Sequence, residues 1–164
     1  MFLLPEARER LATQQAALLR ALANRAAPPE GFDPARICAT ADALARKRAR
    51  GVARTWPALA GALSDRLGPL FAAYAAATRP PRHGGPLADG RAFARALADW
   101  GELPEAAHVE VMAVDLRHAP RPDGLAPRRW PSLAVALLYR PRRLVLAARL
   151  PRFGERWLAI RLGR

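Results

Sequence analysis

The chain has 164 residues, 51% of them apolar and 25% charged, a composition that predicts one folded domain, or one domain with a small appendage, and excludes a disordered tail. Its 27 basic and 14 acidic side chains leave a net charge of +13, which points to an anionic partner, and the single cysteine, Cys38, excludes an internal disulfide. The longest runs without charge, residues 67–78 and 130–139, are too short to span a bilayer, and residues 1–6 lack the basic segment of a secretory signal, so we expect a cytoplasmic protein without membrane contact.

Prolines and helix caps divide the N-terminal part of the chain into short helices. The first helix begins at Pro5 and ends before Pro28. Asp33 is the expected N-cap of the second helix, because Pro34 follows it at the first helical position, where the missing N–H costs no hydrogen bond. The second helix ends at Trp56, before another proline. Leucines and other apolar residues at helical spacing give each of these helices one apolar stripe.

Shorter helices follow in the same part of the chain. One begins at Pro57, and the next is introduced by Ser64-Asp65. Residues 79–86 are rich in proline and glycine and are expected to form a loop. Asp89 is the expected cap of the helix after this loop, and a last helix begins at Pro104. The sequence therefore predicts five to six short helices.

Composition and charge change near residue 120. The segment Ala119–Pro127 contains three prolines and a glycine, which predicts a linker. We therefore expect a helical domain over residues 1–119, a linker over residues 120–130 and a β-subdomain over residues 131–164. Residues 1–119 carry 16 basic and 12 acidic side chains, whereas the remainder carries 11 basic and 2 acidic ones. Most of the excess positive charge thus lies in the C-terminal part.

The C-terminal part changes from a helical period to the alternation of β-strands. Apolar residues alternate along residues 133–139, 144–150 and 157–162, which predicts three strands. Arg140-Pro141-Arg142 and Pro151–Gly154 are expected to form the turns between them. The expected fold class is α+β, with an N-terminal bundle of five to six short helices followed by a small three-stranded antiparallel β-meander.

The predicted strands have two different faces. Leucine, valine and tyrosine dominate one face, and arginine with one tryptophan marks the other. Three strands cannot bury both faces alone, so we expect the sheet to lean on the helices or on another subunit.

No pattern in the sequence indicates an active site or a metal centre. The three histidines, His83, His108 and His118, do not combine with Cys38 at the spacing of metal ligands. The glycine pair at 84–85 lacks the sequence frame of a phosphate-binding loop. Cys38 lies among alanines on a helix, where a small core residue is expected. We therefore expect no catalytic residue, metal or cofactor, and a protein that is not an enzyme.

A first group of candidate binding residues lies on the second helix. Arg46, Arg50 and Arg54 recur every four positions and so form one row, with Lys47 beside it. Such a row suits a phosphate backbone or an acidic partner. The alternative is a solvated helix face, whose cations are favoured near the C-terminus by the helix dipole.

The basic sheet face provides the second group: Arg143, Arg149, Trp157 and Arg161, flanked by Arg128, Arg129, Arg140 and Arg142. Arginines beside an aromatic ring suit stacking on bases and contact with phosphates. They equally suit an acidic peptide laid along an edge strand, where main-chain hydrogen bonds supply affinity. A third interpretation is a solvated outer face whose arginines discourage aggregation.

The helical part resembles a known bacterial domain family. The shared positions are mostly apolar residues and prolines: Lys47-Arg48, Val52, Trp56-Pro57, Leu59, Leu63-Ser64-Asp65, Phe71, Tyr74, Pro80-Pro81, Asp89-Gly90, Phe93, Leu97, Leu103-Pro104, Ala107 and Glu110. In this order they resemble a family of helical domains classed as DNA-binding. Similar domains occur in partner proteins of multinuclear-iron enzymes that modify ribosomally made peptides, including the partner subunit of methanobactin biosynthesis.

The resemblance implies a helical domain followed by a β-containing domain that helps to present a peptide, without catalytic residues. In one hypothesis, the chain is a non-catalytic accessory protein that docks on a partner enzyme, with Trp56 and Pro57 as candidate contacts, and receives an acidic peptide on its basic sheet. In the other, the chain binds DNA or RNA through the arginine-rich helix and sheet faces. A purely structural role within a larger assembly, with arginines serving solubility, is the third possibility.

Overall fold

A computed structural model describes residues 3–24, 27–139, 142–150 and 152–163, and the expected α+β class is confirmed. The helices in this part of the chain are α1 (Leu3–Asn24), α2 (Pro34–Thr55), α3 (Pro57–Leu63), α4 (Leu67–Ala77), α5 (Gly85–Asp99) and α6 (Glu105–Arg117). A 3₁₀ turn, Ser64–Arg66, lies between α3 and α4. The strands are β1 (His118–Arg121), β2 (Gly124–Pro127), β3 (Ser132–Tyr139), β4 (Arg142–Leu150) and β5 (Gly154–Arg161).

The chain forms two compact units. One contains Met1–Ala49 and Gly68–Pro80, and the other contains Arg50–Leu67 and Pro81–Arg164. This division differs from the predicted one near residue 120. The reason is that α6 contacts β1, β3 and β4, so the end of the predicted helical domain belongs with the strands.

The first unit contains the predicted start of α2. Asp33 accepts a hydrogen bond from the N–H of Ala35 at 2.9 Å, so the predicted N-cap is confirmed. In the same unit, the guanidinium of Arg48 lies 5.4 Å from the ring centroid of Phe71 and 5.6 Å from that of Tyr74. Arg48 therefore helps to join α2 to α4.

Helix α6 is at the centre of the second unit, where it contacts α3, α5 and three strands. The largest fully buried side chains of this unit are Val52, Trp56, Leu59, Phe93, Leu97 and Leu116. Asp115 of α6 accepts two hydrogen bonds from the guanidinium of Arg91 in α5, at 2.7 and 2.8 Å. This bidentate pair fixes the two helices against each other.

A carboxylate of α6 also caps α3. The first N–H groups of any helix lack acceptors within the helix. Glu110 accepts hydrogen bonds from the N–H groups of Ala58 and Leu59, at 3.2 and 2.9 Å. Its negative charge also lies at the positive end of the α3 dipole. Glu110 is therefore a tertiary cap, supplied from another helix.

Helix α5 begins before the cap that the sequence predicted. Its N-cap is Gly84, whose φ of 91° lies in the left-handed region that glycine adopts without strain, and Pro86 lies in the first turn. Asp89 lies inside the helix and is buried. The prediction of Asp89 as the cap is wrong, because the glycine and proline before it already start the helix.

The predicted linker over residues 120–130 largely forms a β-hairpin instead. Strands β1 and β2 pair antiparallel, with His118 opposite Pro127 and Arg121 opposite Gly124. Helix α6 runs directly into β1. The two residues between the strands are Pro122 and Asp123, and proline at the second position of a turn with glycine at the fourth favours a tight turn. A two-stranded ribbon tolerates proline because both strands are edge strands.

The predicted three-stranded meander is confirmed. Strand β4 pairs antiparallel with β3 on one side and with β5 on the other. In this register, Val135 lies opposite Leu146, which in turn lies opposite Leu158. The predicted turn residues Arg140, Pro141 and Pro151 lie outside the described residues.

The sheet packs on α6 through the face with the smaller side chains. The buried cluster between them contains Met112, Leu116, Leu138, Val145 and Ala147, with Ala134 and Ala136 packed against it. Alanines let the helix approach closely, so that Met112 and Leu116 fill the space above the strands. We call this side of the sheet the inner face and the leucine-rich side the outer face.

Candidate functional site

The four residues that the sequence placed together on the basic face, Arg143, Arg149, Trp157 and Arg161, all lie on the inner face of the sheet, whereas the flanking Arg142 lies on the outer face. The interpretation of this face as a solvated outer face is wrong, because it is the side of the sheet that packs on α6. Arg149 is half-buried, and its Nη1 donates to the carbonyl of Arg128 at 3.1 Å. Arg128 donates its Nε to the carbonyls of Asp115 and His118, at 2.8 and 3.1 Å. Arg149 and Arg128 therefore hold the segment between the hairpin and β3 in place.

The other predicted residues of the inner face remain accessible. Arg143 and Arg161 are both exposed and lie directly opposite each other in the β4–β5 register. Trp157 is 40% exposed on the same face of β5. Like charges in opposite positions repel each other, so an anionic group bound between the two guanidinium groups would relieve that repulsion.

Strand β5 presents an edge of backbone groups. It is the last strand of the order β3-β4-β5, and nearly all of its residues are exposed. The N–H of Leu162 donates to the carbonyl of Arg142 at 3.1 Å, which fixes the alternation of the ladder. In an antiparallel pair, every second residue turns its backbone N–H and C=O away from the partner strand. On β5 these residues are Glu155, Trp157, Ala159 and Arg161.

The acidic residue of β5 is neutralised by an ion pair. Glu155 accepts hydrogen bonds from Nε and Nη2 of Arg117 at 2.5 and 2.8 Å. These bonds hold the pKa of Glu155 below its ordinary value, and the same bonds raise the pKa of Arg117. The edge of β5 therefore presents net positive charge at neutral pH.

The predicted arginine row of α2 is exposed. Arg46, Arg50 and Arg54 all have exposed side chains, as does Lys47. Because α2 is one continuous helix, their spacing places the three arginines on one side of it. Cys38 lies on the same helix and is exposed, so its prediction as a small core residue is wrong.

The two residues predicted to dock on a partner behave differently. Trp56 is fully buried, and its Nε1 donates to the carbonyl of Leu87 at 3.2 Å. A side chain without exposed surface cannot contact a partner in the folded protein, so the docking role of Trp56 is a wrong prediction. Pro57 is exposed and begins α3.

The outer face of the sheet is a surface that the sequence analysis did not single out. Its apolar residues include Leu133, Val135, Leu137, Tyr139, Leu158 and Ile160, each more than 40% exposed. The alternation of apolar residues located this face correctly but did not reveal which side packs on a helix. The many alanines on the opposite face are the signal that could have identified that face as the one packed on a helix.

Within residues 3–24, 27–139, 142–150 and 152–163, no helix is long and apolar enough to cross a membrane. No three side chains of His, Cys, Asp or Glu are grouped there so that they could hold a metal ion.

Comparison with known proteins gives a family. The family described as "SCO6045-like, C-terminal domain" matches residues 12–99, just over half of the chain. The chain belongs to this family. A "UPF0276 protein" of Streptomyces avermitilis is 43% identical over 100 residues, which are 61% of this chain and 20% of that protein. No solved structure matches the chain.

The extent of these matches separates the helices from the sheet. The SCO6045-like region ends with α5, so strands β3, β4 and β5 lie outside it. The chain spans about a fifth of the length of the Streptomyces relative. In that relative, the similar segment is therefore joined to a much longer remainder of chain.

Proposed function

We propose that this SCO6045-like chain is a non-catalytic accessory protein that docks on a partner enzyme and holds an acidic peptide in an extended conformation along β5. The observation that carries the proposal is the open edge of β5, where four residues turn their backbone groups away from β4. An extended peptide that pairs with such an edge gains main-chain hydrogen bonds, and its side chains meet those of the strand.

The charges beside this edge favour carboxylates over other side chains. Arg143 and Arg161 form an exposed pair at one end of β5, and Arg156 lies on the outer face of the same strand. Glu155 is engaged by Arg117 and does not compete for these guanidinium groups. Trp157 adds an aromatic surface next to the peptide path.

The accessory role has two further supports. Residues 40–116 resemble the helical domains of partner proteins that work with multinuclear-iron, peptide-modifying enzymes. In the Streptomyces UPF0276 protein, the similar segment makes up a fifth of a longer chain, which fits a module that acts together with other sequence. Both supports concern the helices, whereas the peptide site rests on the sheet.

The test is a fluorescence-anisotropy titration with a labelled twelve-residue peptide of alternating glutamate and valine. Ala159→Pro removes one outward N–H of β5 without removing a bond to β4, since proline is compatible with an edge strand. Ala159→Val keeps the N–H and is the matched control. We expect Ala159→Pro to weaken binding about tenfold, because one main-chain hydrogen bond to the peptide is lost. Ala159→Val should bind the peptide like the wild type.

Arg161→Glu provides a second, electrostatic arm of the same titration. It reverses one charge of the Arg143–Arg161 pair. The variant should therefore weaken binding of the acidic peptide more than binding of a lysine-containing peptide of equal length. The β5 edge would be excluded as the peptide site if two results came together: Ala159→Pro and Ala159→Val bind the acidic peptide with equal affinity, and the acidic and lysine-containing peptides bind with equal affinity.

Binding of nucleic acid is the second candidate function, favoured by the exposed row on α2. Three phosphates neutralised by Arg46, Arg50 and Arg54 predict an affinity loss of about 40-fold between 50 and 200 mM salt. Anisotropy of a labelled DNA duplex and of single-stranded RNA measures this slope. The triple alanine variant of the row should lower both the affinity and the salt slope, and an unchanged slope would exclude the row as a phosphate contact.

A further inference from the structure

The outer face of the sheet forms a continuous apolar surface across three strands. The register places Val135, Leu146 and Leu158 in one row and Leu137, Leu144 and Ile160 in the next. Leu133 is 83% exposed and Val135 65% exposed, so the described part of the chain leaves both side chains uncovered. Adjacent rows of exposed apolar residues mark an interaction surface, whereas single exposed leucines are ordinary.

Arginines stand at both ends of this apolar surface. Arg142 lies opposite Tyr139 on the outer face, and Arg156 lies opposite Ala148 at the other end of the sheet. Exposed Arg152 follows in the turn before β5. Among the described residues of β3, β4 and β5, the only carboxylate is that of Glu155, which lies on the inner face. The outer face is therefore apolar in the middle and basic at its ends.

We propose that the outer face is the docking surface for a partner protein whose contact area is apolar in its centre and bears carboxylates around it. This inference rests on the proposed accessory function and names the surface that meets the enzyme. The positive ends select a partner with acidic side chains, since opposite charges across an interface attract and fix the register.

Charge also decides between a foreign partner and a second copy of this chain. Two copies that met through this face would bring together two C-terminal segments, residues 120–164, that each carry 11 basic and 2 acidic residues. Such like-charge repulsion disfavours the pair, whereas an acidic partner gains from the same arginines. The occupant is therefore a different protein, with a surface of opposite charge.

The first test uses two anionic polymers that differ in apolar content. A random copolymer of glutamate and tyrosine offers carboxylates with apolar side chains, and poly-L-glutamate offers carboxylates alone. We expect the copolymer to bind at least tenfold more tightly. The double variant Val135→Thr, Leu158→Gln should lose this preference and keep the affinity for poly-L-glutamate, because it removes apolar surface and no charge.

Matched variants keep the result interpretable. Leu11→Gln with Leu19→Gln changes two leucines of similar exposure on α1, and its copolymer preference should equal that of the wild type. The outer-face positions are exposed, so the urea midpoint of the double variant should not change. Should that variant nevertheless unfold, the single change Leu133→Gln repeats the comparison at the most exposed of these positions.

The remaining outcomes overturn the inference, each in favour of a different occupant. Equal binding of both polymers means attraction by charge alone. A concentration-dependent dimer in sedimentation velocity that the double variant abolishes identifies a second copy as the occupant. Binding to phosphatidylglycerol vesicles that the double variant abolishes identifies a membrane surface. If Ala159→Pro abolishes copolymer binding while the double variant retains it, the copolymer binds at the peptide edge of β5. That result rejects the outer face as the docking surface.

Discussion

Replacing Gly90 by alanine tests whether Trp56 belongs to the core of the second unit rather than to an interface. A Cβ at position 90 would lie 2.1 Å from Nε1 and 2.3 Å from Cδ1 of the Trp56 indole. Ordinary contacts between such atoms are about 3.5–4.0 Å, so the ring has to move by about 1.5 Å. Trp56 has no exposed surface, and its movement would also disturb the 3.2 Å bond from Nε1 to the Leu87 carbonyl.

The magnitude follows from three contributions. Overpacking of a buried site costs about 1–3 kcal/mol, and loss of one hydrogen bond costs about 1 kcal/mol. Alanine in place of glycine inside a helix offsets about 0.5–1 kcal/mol of this cost. We therefore expect Gly90→Ala to lower the free energy of unfolding by about 2 kcal/mol.

Urea unfolding followed by tryptophan fluorescence measures this loss, because all four tryptophans belong to the second unit. Gly61→Ala in α3 is the control, since a Cβ there meets no atom within 4 Å. The control should be unchanged or more stable by up to about 1 kcal/mol. Equal stability of the two variants would refute the close contact between Gly90 and Trp56, and with it the burial of Trp56.

Three further predictions concern the polar contacts of the second unit. Glu110→Ala leaves the N–H groups of Ala58 and Leu59 without their acceptor, so urea titration should show a loss of about 1–2 kcal/mol, and a smaller loss for Glu110→Gln. The pKa of Glu155 is lowered in the folded state, so its ion pair stabilises the protein above the pKa of the unfolded chain and is lost as the pH falls through the folded pKa. The urea midpoints of wild type and Glu155→Gln should therefore differ at pH 7 and converge in acid. Arg91→Lys keeps the charge but loses the two parallel bonds to Asp115, and a double-mutant cycle with Asp115→Asn should give a coupling energy of about 1–2 kcal/mol.

Local signals in the sequence predicted most of the elements. The Asp33-Pro34 pair determines the start of α2 through one side-chain hydrogen bond and one fixed φ, so no tertiary information is needed. The alternation of residues 133–139 predicted β3 because strand side chains alternate between the two faces of a sheet. The prediction of Asp89 as a cap was wrong because Gly84 and Pro86, which precede it, already start the helix.

Contacts between distant residues account for what the sequence did not predict. Glu110 caps α3 from a position 51 residues beyond Leu59, and no local pattern indicates that pairing. Burial of Trp56, between α2 and α3, depends on Gly90 of α5. The alternation of the sheet predicts two faces and not which one is covered. That choice depends on the shape of α6, which packs on alanines and leaves the leucines exposed.

The edge of β5 and the outer face of the sheet can act together, because they use different groups of the same strand. Pairing at the edge uses backbone groups of residues such as Ala159, whereas the outer face uses the side chains of Leu158 and Ile160. A peptide bound as a fourth strand would place every second side chain beside those two residues. An enzyme docked on the outer face would then meet the peptide directly, and each ligand should raise the affinity for the other by the same factor. Titrating the peptide with and without the glutamate–tyrosine copolymer measures that factor, and a value of one would mean that the two surfaces act independently.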